Sequence, residues 1–473
     1  MKIISTSIAP PGAGKTEALL SKLPALLDAG KRVILALPTL VLSDSIARRA
    51  SEAGVAYRTI DQRCGEAVVP TLEKALKEET ESFVICTQES IRQVRHDLLH
   101  GWVLVVDELP KVVDYPDYAL KPLELKRVFD FTEERDGQLW IRDDLEQVVR
   151  EQVSINRADA RGTDCSTLGR SAAHIFRLLL SKVDVFIDQP QPDNVRHIRA
   201  VEEFTGWWDI FSSATETHVL AASIQNSEFE VFATVHGFLF NRSEFTPEGN
   251  PITSVVTIYP VVQTGQKFSK KMMLTPHEGE RLIDVVLKKV LEQTRSIPLL
   301  FANKWARLQP TRNVEYAPKD CRGLNSYSHA TEVIVLFGGN PSPSDSKGIA
   351  YLAAKYGQDF EEAFITTRLL EPSLQAVTRT AVRRPDNTND ANFYVQDYRV
   401  VDYLLATYFP SATVDWSLAG KIPVKRDGRK LDEQVEKEVN RLISLGTTNL
   451  QIHRETGVSR KKIQELRAVA QAA

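Results

Sequence analysis

The sequence predicts an α/β protein with two tandem lobes of parallel β-sheet, a helical insert in the first lobe and a small all-α module at the C-terminus. Short β-branched or apolar runs alternate with helical patterns through the first half of the chain, and the same alternation returns after residue 251. The last segment shows helical patterns only. We therefore expect a first lobe at 1–250, with its insert at about 115–210, a second lobe at 251–420 and a terminal module at 425–473.

The composition is that of a globular protein: 473 residues, of which 42% are hydrophobic and 26% charged, with a formal net charge of −3. This charge gives no global sign of a nucleic-acid binder, so contact with a polyanion must depend on local basic patches. No apolar run is long enough to span a membrane, and the first predicted strand leaves no room for a signal peptide. The cysteines form no CxxC pair and indicate neither a zinc site nor a disulfide framework: Cys64, Cys86, Cys165 and Cys321. We expect a cytoplasmic protein with no membrane partner.

A phosphate-binding loop follows the first predicted strand. Residues 2–8 have the β-branched character of a strand, and residues 16–27 have the apolar spacing of a helix. Glycines in the loop between them let backbone N–H groups face a phosphate, Lys15 can reach the β- and γ-phosphates, and the Thr16 hydroxyl can hold Mg²⁺. We predict that ATP and Mg²⁺ are bound here by Gly12, Ala13, Gly14, Lys15, Thr16 and Glu17.

A second predicted strand ends in two carboxylates. Residues 102–106 are apolar throughout, as in a buried parallel strand, and Asp107 and Glu108 follow at its carboxyl end. Asp107 would hold Mg²⁺ through water, and Glu108 would orient or deprotonate the attacking water. The alternative is a core strand followed by two solvated acids. The phosphate loop favours a nucleoside-triphosphate hydrolase.

The order of the further motifs resembles that of superfamily 2 DExD/H-type helicases over roughly residues 1–410. Ala9 supports the resemblance, because the loop of these proteins commonly reads AxxGxGKT. The resemblance implies two RecA-like lobes that close over ATP. It also implies nucleic-acid contacts by Thr39, at the end of a strand similar to motif Ia, and by Thr87 and Gln88 after the next strand. Leu40 departs from the family, which usually has arginine there.

Two further motifs are implied to couple hydrolysis to lobe movement. Residues 211–216 contain the Ser-Ala-Thr triplet of motif III, with Ser213 and Thr215 as the coupling hydroxyls. The alternative is that these hydroxyls serve a local turn or a helix cap. Residues 320–325 resemble motif V: Gly323 would allow close backbone approach to the nucleotide, and Asn325 stands where the family often has aspartate.

Residues 375–384 resemble motif VI, which carries arginines toward the phosphate loop. The motif begins at Gln375. Arg379 and Arg383 are four residues apart, so we expect both on one face of a helix. From there they would stabilise charge on the γ-phosphoryl group. The family spacing QxxGRxGR would put the second arginine at position 382, where Val382 stands. Which arginine acts as the finger stays open, and an ordinary basic helix surface is the alternative.

About a hundred residues between the acidic strand and the Ser-Ala-Thr triplet form the insert. Its core is predicted to be helical, because residues 144–155 and 171–183 carry apolar side chains at helical spacing. Trp207 and Trp208 near its end could stack on bases, although their pattern favours buried core residues.

The C-terminal segment is basic, with 12 Lys and Arg against 7 Asp and Glu from Lys421 onward. Helical patterns at 431–445, 449–456 and 458–468 predict a helix-turn-helix, and the last resembles the recognition helices of resolvase-like DNA-binding units. Its residues directed toward a DNA groove would be Arg460, Lys461 and Lys462. A basic packing module or a protein-docking tail is the alternative.

Together these patterns predict an ATP-dependent DNA helicase or translocase. The short first strand suggests a phage or mobile-element protein, so the expected setting is a prokaryotic or phage-infected cell, with replication or recombination proteins as partners. Two other functions stay open: an RNA helicase or remodeller, and a non-motor P-loop ATPase that acts as a DNA-binding regulator.

Overall fold

The computed structural model describes residues 2–159, 168–192, 194–248, 252–309, 311–318, 327–384, 387–422, 433–458, 462–464 and 466–467. The chain divides into two compact units, residues 1–422 and 423–473, and each is described by itself. No helix among the described residues is long and apolar enough to cross a membrane.

Strands and helices alternate along the first 107 residues. They are β1 (Lys2–Ile8), α1 (Lys15–Asp28), β2 (Arg32–Leu37), α2 (Leu40–Glu52), β3 (Arg58–Ile60), α3 (Val68–Glu78), β4 (Phe83–Thr87), α4 (Gln88–Ile91) and β5 (Trp102–Asp107). Strands β2 and β5 consist mainly of Val, Leu and Ile, and nearly all of their residues are buried. This is the pattern of parallel strands that helices cover on both faces.

The insert after β5 contains both strands and helices. Its elements are β6 (Val113–Asp114), β7 (Asp117–Leu120), α5 (Pro122–Phe129), β8 (Thr132–Arg135), β9 (Gln138–Ile141), α6 (Glu146–Asp159), α7 (Arg170–Leu180), β10 (Val185–Ile187), β11 (Arg196–Ala200) and β12 (Glu202–Glu203). The two predicted helices are confirmed as α6 and α7. They accompany a five-stranded antiparallel sheet in the order β7-β11-β10-β9-β8, which the sequence did not predict. Its strands are too short and too rich in charge for a clear alternating pattern.

The first lobe resumes after the insert with α8 (Gly206–Ser213), β13 (Glu216–Ala221), α9 (Glu228–Val235) and β14 (Phe238–Arg242). Seven parallel strands then form one sheet in the order β14-β1-β13-β5-β2-β4-β3. Helices α1 and α2 pack on one face of this sheet. Trp207 and Trp208 are buried in the core on the other face, so they are core residues rather than base-stacking side chains.

The second lobe repeats the alternation around a six-stranded parallel sheet. Its elements are β15 (Val256–Pro260), α10 (Lys270–Leu274), β16 (Pro276–His277), β17 (Glu280–Arg281), α11 (Leu282–Leu291), β18 (Leu299–Ala302), β19 (Glu315–Ala317), β20 (Glu332–Leu336), α12 (Pro343–Tyr356), α13 (Glu361–Ile365), a π-helix (Thr366–Leu370), α14 (Glu371–Val377), β21 (Ala391–Val395), α15 (Tyr398–Thr407), β22 (Thr413–Val414) and α16 (Ser417–Lys421). The strand order is β19-β18-β20-β21-β15-β22. The predicted α/β class with two parallel sheets is confirmed.

The two lobes share an apolar core. Ile349 and Leu352 of α12 and Phe364 of α13 belong to the same buried cluster as Trp207 of the first lobe. Polar contacts also join α12 to the insert, including Lys347 Nζ to Asp188 Oδ1 at 3.0 Å. The insert therefore packs against the second lobe as well as the first.

The second unit contains α17 (Glu433–Ser444) and α18 (Asn449–Thr456), and residues 462–464 are helical. Val439, Leu442, Ile452, Val458 and Ile463 form its small core. Thr448 caps α18 by accepting the N–H of Gln451, and Gly457 ends it in a left-handed conformation. The first two predicted helices of the terminal module are thus present.

Candidate nucleotide site

The phosphate loop lies at the carboxyl end of β1. Gly12 and Gly14 both adopt left-handed backbone conformations, with φ angles of 88° and 89°, which residues with a Cβ atom rarely adopt. A Cβ atom at Gly12 would also overlap the side chain of Arg383 from the second lobe. Glycine is therefore required at this position both by the backbone and by the close approach of the other lobe.

Lys15 is the first residue of α1, and its side chain is buried in the hollow of the loop. Its Nζ donates to the carbonyl oxygens of Ala9 at 2.6 Å and Pro10 at 3.2 Å. Burial lowers the pKa of Lys15, while the nearby carboxylates of Glu108 and Asp107 raise it. An ammonium group in this position complements phosphate oxygens.

The acidic pair ends β5 beside the loop. Thr16 Oγ1 donates to Asp107 Oδ2 at 3.4 Å. Burial and the neighbouring Glu108 carboxylate, opposed by the ammonium group of Lys15, together raise the pKa of Asp107 to about 7. Hydroxyl and carboxylate oxygens are the hard ligands that Mg²⁺ prefers, so Thr16 and Asp107 fit this ion.

Glu108 turns out of the strand with a left-handed backbone, at a φ angle of 66°, which is uncommon for a residue other than glycine. Its N–H donates to the Leu220 carbonyl oxygen at 2.8 Å. Gln88 Nε2 donates to the carbonyl oxygens of Asp107 at 2.8 Å and Glu108 at 3.2 Å. These bonds stabilise a strained turn at the acidic pair. Gln88, predicted as a nucleic-acid contact, has this positioning role in the structure.

The second lobe reaches the same cavity through α14 and the segment that follows it. Gln375 Nε2 donates to Glu108 Oε2 at 3.1 Å, and Arg379 Nη2 donates to Gln375 Oε1 at 3.2 Å. Arg383 lies against Gly12. The cavity has a volume of about 220 Å³, and both arginines line it together with Gly12, Gly14, Lys15, Thr16, Glu17, Asp107 and Glu108.

The prediction that the two arginines share one helix face is wrong. Helix α14 ends at Val377, Thr380 is extended, and residues 381–383 form a separate 3₁₀ turn. The Thr380 hydroxyl donates to the Val377 carbonyl oxygen at 2.7 Å, a local bond that competes with helix continuation. Arg379 and Arg383 line the same cavity because the chain turns there, not because of helical spacing.

The position of the Ser-Ala-Thr triplet contradicts its predicted coupling role. Ser213 and Thr215 precede β13, which is parallel to β5, so they lie at the amino edge of the sheet whereas Asp107 lies at the carboxyl edge. The length of the strand separates the two edges by roughly 20 Å. Ser213 Oγ lies 3.0 Å from His96 Nδ1, and Thr215 Oγ1 accepts the N–H of Gly101 at 2.9 Å. The hydroxyls therefore join the segment before β13 to the segment before β5.

The residues that follow β13 at the carboxyl edge are Ala222 and Ser223, which sequence reasoning missed. The Ala222 carbonyl oxygen accepts the Tyr408 hydroxyl of the second lobe at 2.5 Å. Ser223 and Gln375 line a second cavity, of about 400 Å³, between the lobes. The position of Ser223 just after the apolar run of β13 could have predicted it as a site residue. The match of residues 213–215 to Ser-Ala-Thr drew the prediction to the other end of this strand.

A second polar contact crosses the lobes at this larger cavity. Glu228, at the start of α9, lies with Oε2 3.7 Å from Arg368 Nη2 of the π-helix, and its backbone N–H donates to Thr367 Oγ1 at 2.9 Å. Burial, partly offset by the Arg368 guanidinium, raises the pKa of Glu228 to about 7. Nothing in the sequence marked this pair, because the two residues are far apart along the chain.

Thr39 and Thr87, the other predicted nucleic-acid contacts, both cap helices at the carboxyl edge of the first sheet. Thr39 Oγ1 accepts the N–H of Leu42 at 3.3 Å, and Thr87 Oγ1 accepts that of Ser90 at 3.2 Å. Their contact with nucleic acid stays a prediction. Four predicted residues lie outside the described residues, namely Gly323, Asn325, Arg460 and Lys461, while Lys462 is exposed in the second unit.

Comparison with known proteins agrees with this arrangement. Residues 5–122 match the DEAD/DEAH box helicase family. The fold is similar to that of Xpd4 from S. tokodaii, with a TM-score of 0.51 and 14% identity, and to that of an XPD helicase, with a TM-score of 0.53 and 12% identity. Each match covers 88% of this chain and 96% of the other.

The family match covers about a quarter of the chain, at its N-terminal end. At these identities the two structures show the fold of the chain and not its activity or substrate. No curated protein matches the sequence.

Proposed function

We propose that this protein is an ATP-dependent DNA helicase or translocase. The observation that carries the proposal is the meeting of the phosphate loop and acidic pair of the first lobe with Arg379 and Arg383 of the second lobe in one cavity. A nucleotide in this cavity would contact both lobes at once. Its binding and hydrolysis would therefore bias the spacing between the lobes, as a motor requires.

The proposed hydrolysis divides its tasks among residues of both lobes. Lys15 and the backbone of the loop bind the β- and γ-phosphates, and Glu108 orients the attacking water and accepts its proton. A Mg²⁺ ion held by Thr16 and Asp107 would neutralise charge on the phosphate oxygens. Arg383, and Arg379 beside it, stabilise charge on the transferred phosphoryl group. Because Gln375 forms hydrogen bonds with both Glu108 and Arg379, it fixes the position of the water-orienting carboxylate relative to that of the arginine.

The preference for DNA rests on the C-terminal unit. From Lys421 onward this segment has a net charge of +5, and α17 and α18 share a small apolar core. A basic third helix would place Arg460, Lys461 and Lys462 against a DNA groove. The cytoplasmic location, the phage or mobile-element origin and the replication or recombination partners stay predictions from the sequence.

The test compares ATPase rates of the full-length protein with single-stranded DNA, duplex DNA and RNA of equal length. We expect stimulation by DNA, and a weaker affinity for DNA in the triple substitution of Arg460, Lys461 and Lys462 to alanine, with the basal rate unchanged. Stimulation by RNA alone would indicate an RNA remodeller instead. ATPase activity that no nucleic acid stimulates would overturn the motor function and favour a regulatory P-loop ATPase.

A further inference from the structure

One histidine and two glutamates lie close together in the first lobe, apart from the nucleotide cavity. Glu216 and His218 are alternate residues of β13, so their side chains project from the same face of the sheet. Glu244 belongs to the segment that follows β14. The Ser243 N–H of this segment donates to the Thr6 carbonyl oxygen of β1, the strand between β14 and β13. One ligand atom from each of Glu216, His218 and Glu244 lies within 4.8 Å of the other two.

His218 distinguishes this cluster from an ordinary group of surface acids. Its side chain is only 5% exposed, and its Nε2 has no hydrogen-bond partner while lying 3.6 Å from Glu216 Oε2. On the other side of the ring, Nδ1 lies 2.9 Å from Ser243 Oγ, which also accepts the Phe245 N–H. A ring that donates from Nδ1 to Ser243 carries its lone pair on Nε2, the nitrogen that lies 3.6 Å from Glu216 Oε2. Metal-bound histidines are held in the same way, by a bond from the nitrogen that does not bind the metal.

We propose that Glu216, His218 and Glu244 bind a divalent transition-metal ion. One imidazole nitrogen and two carboxylate oxygens suit Zn²⁺ or Mn²⁺ better than Mg²⁺ or Ca²⁺, which prefer oxygen ligands alone. Burial lowers the pKa of His218, although the Glu216 carboxylate raises it. The bound ion ties the segment leading from β14 toward the second lobe onto β13.

Two lysines compete with the ion for the carboxylates. Lys31 Nζ donates to Glu216 Oε1 at 2.7 Å, and Lys22 Nζ lies 3.7 Å from Glu244 Oε2. Both ion pairs are more than a third exposed, so each contributes little and can be displaced. Each lysine also repels a cation at the site. Removal of the Lys31 charge should therefore strengthen metal binding, a result that a purely structural salt-bridge network would not give.

The experiment titrates Zn²⁺ into the full-length protein by calorimetry, with excess Mg²⁺ present to occupy the nucleotide site. We expect one Zn²⁺ per chain and a higher midpoint of thermal unfolding with Zn²⁺. His218→Ala should abolish this binding, and Glu244→Gln should weaken it about tenfold. Lys31→Met should tighten it severalfold.

His236→Ala is the matched control, because His236 stacks on Trp208 outside the cluster. It should bind Zn²⁺ as the wild type does. Equal binding by the His218→Ala and His236→Ala proteins, or no binding by the wild type, would overturn the proposal. If the His218→Ala protein does not fold, the test depends on Glu244→Gln, because Glu244 is exposed. An unchanged affinity of the Glu244→Gln protein for Zn²⁺ would then overturn the proposal. None of these measurements depends on ATPase activity, so the site and the proposed function fail independently.

Discussion

Two of the polar contacts between the lobes, Gln375 with Glu108 and Arg368 with Glu228, differ in their surroundings. Glu108, Gln375 and Arg379 form a hydrogen-bonded chain beside an open cavity that a triphosphate can enter. Glu228 and Arg368 instead meet where Glu228 is buried, and Glu228 Oε1 and Arg368 Nε have no hydrogen-bond partner. A triphosphate can compensate charge at the first contact, whereas at the second the cations Arg368 and Lys111 compensate the charge of Glu228.

The contact through Gln375 therefore belongs to the nucleotide cavity, whereas the contact between Glu228 and Arg368 joins the two lobes. A buried ion pair is weak support for stability when intact but costly when one partner is lost. We therefore expect changes at the nucleotide cavity to act on turnover, and changes at Glu228 to act on stability and its pH dependence. The substitutions below test that division, from the largest effect to the smallest.

Lys15→Ala should reduce ATP hydrolysis to the background level. The substitution removes the only lysine that lines the described nucleotide cavity, and with it the charge that binds the β- and γ-phosphates. The measurement is phosphate release at saturating ATP. Lys22→Ala on the same helix is the control and should retain wild-type turnover; equal turnover in the two variants would show that the cavity is not the catalytic site.

Arg383→Ala should lower kcat about 1000-fold while ATP binding remains. Its side chain lies against the phosphate loop, where charge develops during transfer. Arg379→Ala should lower kcat less, because Arg379 contacts Gln375 rather than the loop. Single-turnover hydrolysis and fluorescent-nucleotide binding measure the two effects. A larger loss in the Arg379 variant would reassign the finger.

Glu228→Gln should change how stability depends on pH. The pKa of Glu228 is raised from its ordinary 4.5 to about 7. Between these values the unfolded chain loses the proton and the folded chain keeps it, so wild-type stability falls as pH rises. Relative to Glu228→Gln, the wild type should lose about 3 kcal/mol between pH 4.5 and 8, with little further change above pH 8.

The groups that face Glu228 are Arg368, Tyr115, Lys111 and Asp114. Urea unfolding at several pH values measures the effect, and Glu230→Gln on the same helix is the control. Parallel pH profiles for wild type and Glu228→Gln would contradict the buried, protonated state of this carboxyl group.

Ser213→Ala should have the smallest effect, with nucleic-acid-stimulated ATPase activity within about twofold of wild type. Its hydroxyl contacts His96 at the amino edge of the sheet, far from both interlobe contacts. Ser223→Ala, which alters the interlobe cavity, should reduce the stimulation more. The reverse order would restore the coupling role of the Ser-Ala-Thr triplet.

The sequence was enough to predict those features whose function and backbone geometry depend on residues close together along the chain. The loop at Gly12 and Gly14 and the apolar strand before Asp107 were both predicted, because glycine conformations and buried strands have short-range signatures. The antiparallel sheet of the insert was missed, since its strands are short and charged. The Ser-Ala-Thr triplet misled for a related reason: three residues do not specify which edge of a sheet they occupy.

The sequence by itself determined the α/β class, the phosphate loop and the acidic pair, because each depends on periodicity or spacing within a few residues. Only the tertiary structure decided that Arg383 lies against Gly12, that Gln375 joins Glu108 to Arg379, and that Glu228 faces Arg368. In the pairs Gly12 and Arg383, Glu108 and Gln375, and Glu228 and Arg368, the two residues are more than a hundred positions apart. Their proximity follows from how two sheets and their helices pack, which no local pattern encodes.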